Sequence, residues 1–404
     1  MSNLVRRRAV RPLTLAFIGV FLGLGLTVPG AEDVHGQTVW PKKQWRKADP
    51  SEQGMDLSVL DALHKRIRRG EFGYVDRLVV IRNGHLVFDE KYQNDYVAAN
   101  ADRDPASHQY NYFSPNWHPY YHGTDLHTLQ SITKSVTSAV VGIAIGRGDL
   151  PGVEMRVLEA FDEQEIANLD ERKRDMTLDD LLTMRSGLDW DEFAFPYDDA
   201  RNPTAQLEAS DDWVQFVIDR PMVSEPGTHF SYSSGVSQLL SHIVSHGSGK
   251  PIDEYAREHL FRPLGIKKYY WKRTPTGLPD TEGGLYLTAH DLARIGYLYL
   301  NDGVWNGTRI LPEGWVQSTS RPAVQDAWPQ NPANNEGYGY HWWLVPFRGA
   351  RSSHILAGSG YGGQFLFVVP EKNLVAVFTG WNIYGPVPSI KDAFTDYVLR
   401  AAVR

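Results

Sequence analysis

The chain has 404 residues, of which 42% are hydrophobic, 22% charged and 12% aromatic, a composition typical of one large globular domain or two interleaved ones. Its formal net charge is −7, and the 41 basic and 48 acidic residues are mixed along the chain without the basic stripe that favours nucleic-acid binding. There are no cysteines, which excludes disulfides, a thiol nucleophile and a lipid-modified cysteine.

Residues 1–36 differ from the rest of the chain. A basic segment that ends at Arg11 precedes the apolar run from Leu13 to Val28, and small residues follow it. This order is typical of an export signal, and the apolar run is short for a membrane span. We therefore expect a signal peptide at 1–36 that is removed, leaving an exported periplasmic or secreted protein with no stable membrane span. An uncleaved N-terminal anchor is the alternative.

The next segments give a helix, a hairpin and a long loop. Residues 37–74 form a lead-in with a first helix at Leu57–Arg68, and "VDRLVVIRNGHLVFDEKY" (75–92) predicts two strands joined at Asn83-Gly84. Residues 93–126 are irregular and rich in aromatic residues, which is typical of an ordered functional rim. The candidates in it for lining an acyl pocket are Tyr110, Tyr112, Trp117 and Tyr120.

The middle of the chain, residues 151–282, is mainly helical. "TLDDLLTMRSGL" (177–188) begins with a capping box from Thr177 to Asp180 and is predicted to end at Gly187. Further along, "TAHDLARIGYLYLNDG" (288–303) repeats this arrangement.

The pattern returns to strands near the C-terminus. The strand-like runs are "YGYHWWLV" (338–345), "GGQFLFVVP" (362–370) and "NLVAVFTG" (373–380), and a last amphipathic helix covers roughly Ile390–Val403. We therefore expect an α+β fold in which residues 75–150 and 283–404 build one antiparallel sheet flanked by helices, with the helical region inserted between them.

The helix predicted from Ile132 onward carries a hydroxyl and an amine in its first turn. Ser131 and Lys134 are three residues apart, which places both side chains on one helix face. A serine needs a neighbouring base to act as a nucleophile, and a lysine serves as that base only where burial or nearby positive charge lowers its pKa. The spacing also occurs by chance, so a solvated first-turn lysine is the alternative at this point.

Two later segments supply what an acyl-transfer site still lacks. "GTHFSYSSGVSQLL" (227–240) places Tyr232 in a turn before a helix, either as a proton relay to the serine or as a half-buried structural residue. "AGSGYGGQFLFVVPE" (357–371) is a glycine-rich approach to a strand, where a substrate or another backbone can come close. An edge strand here would offer an N–H to an oxyanion hole, and a plain β-bulge is the alternative.

Three short segments occur together in the order and rough spacing of a known group of enzymes: Ser131-Ile132-Thr133-Lys134, Tyr232-Ser233-Ser234 and Gly358-Ser359-Gly360. From about residue 75 onward the chain resembles the penicillin-recognising serine hydrolase superfamily, which contains class C β-lactamases, DD-peptidases and related esterases and amidases. "LLTMRSGL" (181–188) and "FVVPEKNLVAVFTG" (367–380) also match that superfamily. The likeness is closest to the 6-aminohexanoate-dimer hydrolase and family VIII esterase types, judged by "HWW" (341–343) and by Gly363-Gln364.

The resemblance implies a β-lactamase/transpeptidase-like fold with the site between the sheet and the helical region. Ser131 would form the acyl-enzyme, Lys134 would accept or relay its proton, and Tyr232 would act as general base and then as acid toward the leaving group. The backbone N–H groups of Ser131 and Tyr361 would form the oxyanion hole. The substrate-binding positions implied are Ser234, Gly358, Ser359 and Gly360. No metal and no cofactor is implied.

Two positions depart from the superfamily's pattern. Ser234 stands where β-lactamases and DD-peptidases commonly have the asparagine of Tyr-x-Asn, and Gly358 stands where they have the lysine of Lys-Thr-Gly. In those enzymes that lysine helps to hold a substrate carboxylate. We therefore expect weak or absent β-lactam hydrolysis, and a small neutral ester or amide as substrate.

Other functions have less support. His242 and His246 are four residues apart but lack the acidic partner of H-E-x-x-H, which favours a polar helix face over a metal site. No G-x-S-x-G elbow, P-loop or dinucleotide fingerprint is present. The alternatives to an esterase or amidase are a catalytically silent cell-envelope binding protein on the same fold, and a D-amino-acid peptidase or β-lactamase.

Overall fold

The computed structural model describes residues 38–99, 101, 118–161, 164–331, 335–347, 354–383 and 389–403. The predicted signal peptide, and the part of the aromatic loop that contains Tyr110, Tyr112 and Trp117, lie outside these ranges. Within them, no helix is both long enough and apolar enough to cross a membrane.

Most strands of the described chain belong to one sheet. The strands are β1 (Arg46–Lys47), β2 (Val75–Arg82), β3 (His85–Lys91), β4 (His127–Thr128), β5 (Tyr270–Trp271), β6 (Leu285–Leu287), β7 (Val304–Trp305), β8 (Thr308–Arg309), β9 (Gly337–Gly339), β10 (Trp342–Pro346), β11 (His354–Gly360), β12 (Gln364–Val369) and β13 (Leu374–Gly380). The main sheet has the order β1-β3-β2-β13-β12-β11-β10-β9, a second has the order β4-β6-β5, and β7 pairs with β8.

The two ends of the chain build the main sheet together. β2 pairs with β13 in antiparallel register, with Val79 opposite Val377, so an N-terminal strand lies beside a C-terminal one. Every residue of β13 is buried, which explains its continuous apolar sequence. The predicted antiparallel sheet is confirmed, with one exception at its edge, where the two-residue strand β1 runs parallel to β3.

Helices cover the sheet and fill the middle of the chain. They are α1 (Leu57–Arg68), α2 (Tyr96–Ala99), α3 (Ile132–Arg147), α4 (Glu171–Asp175), α5 (Leu178–Leu182), α6 (Pro203–Ala209), α7 (Trp213–Ile218), α8 (Ser234–Ser248), α9 (Ile252–Ala256), α10 (Arg262–Leu264), α11 (Ala289–Leu300), α12 (Trp315–Ser320) and α13 (Ile390–Ala393). A π-helical turn joins α9 to α10, and another continues α13 to Leu399. Helices α4 to α10 lie between residues 151 and 282.

The central helix α3 is buried on all sides. It packs against β11 and β12 on one side and against α8 on another, and every residue from Ile132 to Ala144 is buried. A helix surrounded in this way needs no polar face, which accounts for its run of small and apolar residues. The prediction of a buried helix is confirmed, although the burial extends well beyond the one face marked by Val136 and Val140.

Local predictions succeed where turn or capping chemistry is strong. Helix α1 has the predicted bounds, and Asn83 and Gly84 both adopt positive φ in the turn between β2 and β3. The capping box of Thr177 and Asp180 is formed, but α5 ends at Leu182 rather than at Gly187. It ends there because Met184 adopts a left-handed φ of 57°.

Two strand predictions near the C-terminus are wrong in detail. The run 338–345 is a hairpin of β9 and β10 rather than one strand, because His341 at the turn has a φ of 57°. The glycine-rich stretch before β12 is itself the end of β11 rather than an approach to a strand. Moreover β11 lies between β12 and β10 and is not an edge strand, although pairing with β10 reaches only as far as Ala357. Its last three residues therefore pair with β12 alone.

Candidate active site

The first turn of α3 places Ser131 and Lys134 together. The chain leaves β4, turns through Gln130 in a left-handed conformation (φ 48°), and enters the helix at Ser131, whose hydroxyl makes no capping hydrogen bond. The Nζ of Lys134 donates to the Oγ of Ser131 over 3.1 Å. Ser131 is half-buried whereas Lys134 is 1% exposed, so the lysine is not a solvated first-turn charge.

Lys134 is held as an ammonium ion. Its three N–H groups have three acceptors: Ser131 Oγ at 3.1 Å, Ser234 Oγ at 3.1 Å and the backbone oxygen of Glu282 at 2.6 Å. Burial by itself lowers the pKa of Lys134, but Tyr232 and the carboxylates of Glu282 and Glu192 outweigh it and raise that pKa above its ordinary value. The neighbours that would make this lysine a neutral base are positive ones, whereas two carboxylates, those of Glu282 and Glu192, act on it here.

Tyr232 joins Ser131 and Lys134 from a different part of the chain, the segment that leads into α8. It lies two residues before α8, is 6% exposed, and has the Lys134 Nζ 5.2 Å from its ring centroid. Its ring is stacked on Phe193 at 5.5 Å and on Trp343 at 5.6 Å. Burial raises the pKa of Tyr232, and Glu192 adds to this, although Lys134 and hydrogen bonds from Ser131 and Lys134 act in the opposite direction. The phenol of Tyr232 therefore ionises less readily than that of an exposed tyrosine.

Glu192 is a buried carboxylate that hydrogen-bonds to Ser234 and that no sequence pattern predicted. Glu192 is 2% exposed and accepts from both the backbone N–H of Ser234 (2.6 Å) and its hydroxyl (2.8 Å). It also accepts from the indole of Trp190 (3.0 Å) and the phenol of Tyr197 (2.7 Å). It lies 42 residues from Ser234, in a loop without repeating pattern, so no sequence spacing connects the two.

The glycines of β11 allow that strand to touch the start of α3. A Cβ at Gly360 would lie 2.3 Å from the backbone oxygen of Leu129, and one at Gly358 would lie 3.1 Å from Ile132 Cγ2. Ser359 projects from the opposite face of β11, because side chains alternate along a strand. Tyr361 follows directly and lines the same cavity as Ser131 and Ser234, whereas 358–360 are not among its described lining residues.

The cavity beside Ser131 has acidic walls. Among the described residues that line it are the carboxylates of Glu208, Asp280 and Glu282, against one cation, Lys272. Burial and the neighbouring Glu282 raise the pKa of Asp280 to about 7. One oxygen of Asp280 accepts from the backbone N–H groups of Glu282 and Gly283 at 3.0 Å each. No cationic side chain reaches the cavity from β11.

The histidine pair considered in the sequence, His242 and His246, and the buried His127 do not line the cavity beside Ser131. His127 is buried against Asp76 at 2.9 Å, and His242 contacts the backbone oxygen of Ala160 at 2.8 Å. His242 is half-buried rather than part of a polar face, whereas His246 is exposed. Within the described ranges no three acidic or histidine side chains are grouped closely enough to hold a metal ion.

The helix-flanked sheet, the central buried helix and the middle helical region define a β-lactamase/transpeptidase-like fold. The Beta-lactamase family model matches residues 76–387, and the chain belongs to that family, whose members are serine hydrolases. The sequence resemblance to the penicillin-recognising serine hydrolases is thereby confirmed.

Similarity to individual proteins is distant but extensive. The chain is 27% identical over 273 residues to the 6-aminohexanoate-dimer hydrolase of Paenarthrobacter ureafaciens, a match covering 63% of this chain and 65% of that protein, less than two thirds of its length. Among solved structures, a putative 6-aminohexanoate-dimer hydrolase from Bacillus anthracis has a TM-score of 0.64 at 20% identity, covering 84% of this chain and 81% of that one. A family VIII carboxylesterase has a TM-score of 0.62 at 17% identity, covering 89% and 99%.

Proposed function

We propose that the protein hydrolyses an ester or amide bond through an acyl-enzyme on Ser131. The observation that carries this proposal is the 3.1 Å contact between the Ser131 hydroxyl and the buried ammonium of Lys134, at the wall of a cavity. An apolar residue at position 134 would stabilise the fold better than a buried lysine does, so stability alone does not explain Lys134. Relatives named as a 6-aminohexanoate-dimer hydrolase and a family VIII carboxylesterase support amide or ester cleavage.

Proton transfer is assigned to Tyr232, with Lys134 as its electrostatic partner. All three protons of Lys134 are directed at acceptors, so it has no lone pair for the proton of Ser131. The phenolate of Tyr232 takes that proton as Ser131 Oγ attacks the carbonyl carbon, and the adjacent ammonium stabilises the phenolate. This assignment narrows the sequence-based expectation, in which Lys134 accepted or relayed the proton.

The later steps use the same groups. The backbone N–H groups of Ser131 and Tyr361 hold the oxyanion, the first at a helix start where N–H groups lack partners within the helix. Tyr232 returns its proton to the leaving alcohol or amine as the carbonyl re-forms and the acyl-enzyme remains. Water then attacks the acyl carbon and gives a proton to Tyr232, which passes it to Ser131 Oγ as the acid leaves.

The substrate is proposed to be neutral or cationic at its acyl side. Glu208, Asp280 and Glu282 would repel a carboxylate in the cavity, and Gly358 supplies no cation to hold one. Substrates that depend on a carboxylate for binding, β-lactams among them, are therefore disfavoured. Ser234 lines the cavity next to Ser131 and is the proposed substrate-binding residue of the second segment.

The test is hydrolysis of p-nitrophenyl butyrate by the wild type and by Ser131→Ala. We expect the variant to lose activity while keeping the wild-type circular dichroism spectrum and melting temperature. Ser58→Ala, on α1 away from the cavity, is the matched control and should behave as wild type. Wild-type activity that survives in Ser131→Ala would overturn the nucleophile. A wild type with no activity and no covalent fluorophosphonate adduct would instead indicate a silent binding protein.

We also propose that the protein acts outside the cytoplasm. The support is the signal-like segment 1–36, whose basic start, apolar run and small-residue end are typical of exported proteins. N-terminal sequencing of the protein recovered from a periplasmic fraction tests this, and a cytoplasmic protein with an intact N-terminus would contradict it.

A further inference from the structure

The carboxylate of Glu192 occupies an unusual position for a charged group. It is 2% exposed, and among the described residues the four groups that donate hydrogen bonds to it are all uncharged, two of them on Ser234. A buried carboxylate without a cation is costly to the fold. The nearest ammonium, that of Lys134, lies on the far side of the Ser234 hydroxyl.

The hydrogen bonds around Ser234 have only one consistent direction. The hydroxyl has a single proton, and Glu192 as a carboxylate can only accept, so this proton is directed at Glu192 over 2.8 Å. The lone pairs of the same oxygen are then turned to Lys134, which donates over 3.1 Å. A continuous chain thus connects Glu192, Ser234, Lys134 and Ser131.

We propose that Glu192 is a positioning residue of this site: it holds the proton of the Ser234 hydroxyl, so that the lone pairs of that oxygen face Lys134, and it places a negative charge beside the chain from Ser234 to Ser131. The inference rests on the proposed function of Ser131, Lys134 and Tyr232. It adds a buried carboxylate that acts on the ionisation of both Lys134 and Tyr232. Tyr197, which donates to Glu192 and contacts Tyr361 edge-to-face at 5.5 Å, connects the same carboxylate to the proposed oxyanion position.

Other titratable groups also act on Lys134, Tyr232 or Glu192, and any test must distinguish their effects from that of Glu192. Those that act on Lys134, Tyr232 or Glu192 from neighbouring elements are Glu282, Asp280, His341 and Tyr338. Glu282 is the strongest competitor, with its carboxylate 3.7 Å from Lys134 Nζ. Unlike Glu192, it is not a hydrogen-bond partner of Ser234, whose described partners are Lys134 and Glu192.

The experiment compares pH profiles of Glu192→Gln with those of the wild type. Two readouts are used: kcat/KM for p-nitrophenyl butyrate, and the rate of fluorophosphonate labelling of Ser131. Removing one negative charge stabilises the deprotonated forms of both Tyr232 and Lys134. The rising limb of the plot of kcat/KM against pH should therefore move to lower pH by about one unit. The plateau falls about tenfold, because the Ser234 hydroxyl is no longer fixed by a charged acceptor.

Matched variants separate charge from structure. Tyr197→Phe removes one hydrogen bond to Glu192 but no charge, and it should lower the plateau without moving the limb. In a Ser234→Ala background, Glu192→Gln should cost less in kcat/KM than it does alone, because the connection to Lys134 is already broken. Glu171→Gln, with a side chain 91% exposed on α4, should match the wild type.

The outcomes are distinct for the two proposals. A wild type that neither hydrolyses the ester nor takes the label overturns the proposed function itself. A labelled, active wild type whose limb is unmoved in Glu192→Gln overturns the role of Glu192 alone. If the rising limb of the pH profile moves equally in Tyr197→Phe, the proposed role of Glu192 is overturned as well, because packing rather than charge would then determine the pH dependence.

Discussion

The backbone oxygen of Leu129 lies only 2.3 Å from the position that a Cβ on Gly360 would occupy. The end of β11, directly before the proposed oxyanion N–H of Tyr361, therefore touches the turn that leads into Ser131. Two backbone segments that meet so closely fix the distance between nucleophile and oxyanion position, because neither can move without the other. Gly360 is needed for this approach rather than for chain flexibility.

Gly360→Ala should be far more damaging than Gly358→Ala. At position 360 the new methyl meets a backbone oxygen, whereas at 358 it meets a methyl of Ile132 at 3.1 Å, which can shift. We expect Gly360→Ala to lower the free energy of unfolding by about 1–3 kcal/mol and kcat/KM by about 100-fold. Urea denaturation and ester kinetics measure both effects, and equal effects from the two variants would contradict the account.

Activity should rise with pH through the neutral range. Burial raises the pKa of Tyr232 above its ordinary value, so the phenolate that accepts the serine proton gains population only as the pH increases. Below that pKa, kcat/KM is expected to increase about tenfold per pH unit. Stopped-flow assays corrected for spontaneous ester hydrolysis check this. A profile that falls between pH 7 and 9 in a folded protein would be inconsistent with a phenolate base.

Tyr232→Phe should remove that dependence. The variant keeps the ring stacked between Phe193 and Trp343 and loses only the hydroxyl, so the fold is retained. We expect kcat/KM to fall by about 100-fold or more and the rising limb to disappear. If Tyr232→Phe retained more than a third of the wild-type kcat/KM, the general base would have to be another residue.

Asp280→Asn should become relatively more stable as the pH rises. Burial and Glu282 raise the pKa of Asp280 to about 7, above the value of 3.8 that it has when unfolded. A carboxyl with a raised folded pKa stabilises the fold fully below pH 3.8, and this stabilisation is lost as the pH rises through 7. The free energy of unfolding of Asp280→Asn minus that of the wild type should therefore increase by more than about 1.4 kcal/mol between pH 4 and pH 8. Denaturant titrations at both values test this, and a constant difference would contradict it.

Charge on the acyl group should control selectivity. The p-nitrophenyl monoester of succinate carries a carboxylate that the butyrate ester lacks, and Glu208, Asp280 and Glu282 should exclude it. We expect kcat/KM for the butyrate ester to exceed that for the succinate ester by about tenfold or more, and Glu208→Gln to reduce this ratio. A preference for the anionic ester would mean that Lys272 dominates the cavity.

The sequence was informative where chemistry is local. Asn83-Gly84 predicts its turn because few residue pairs adopt positive φ, and Thr177 with Asp180 predicts a helix start because the two cap each other. Ser131 and Lys134 lie on one helical turn, so their contact could be predicted from spacing once the helix was recognised. The order of the three short segments then indicated the family, which the comparisons confirm.

The sequence was not informative where contacts join distant segments. Glu192 reaches Ser234 across 42 residues, and Glu282 reaches Lys134 across 148, so only the fold brings these carboxylates to the lysine. The end of β11 was missed as a strand because glycine has a low strand propensity, and here its absence of a side chain serves packing. The charge state of Lys134 follows from these same distant neighbours.

Mass spectrometry of the covalent intermediate tests most directly whether Ser131 is the nucleophile. The protein would be mixed with p-nitrophenyl butyrate, quenched in acid within milliseconds to seconds, and digested. The account predicts a butyryl group on Ser131 that disappears as the substrate is consumed, and none in Ser131→Ala. Hydrolysis that proceeds with Ser131 unmodified and with the acyl group on another residue would contradict it.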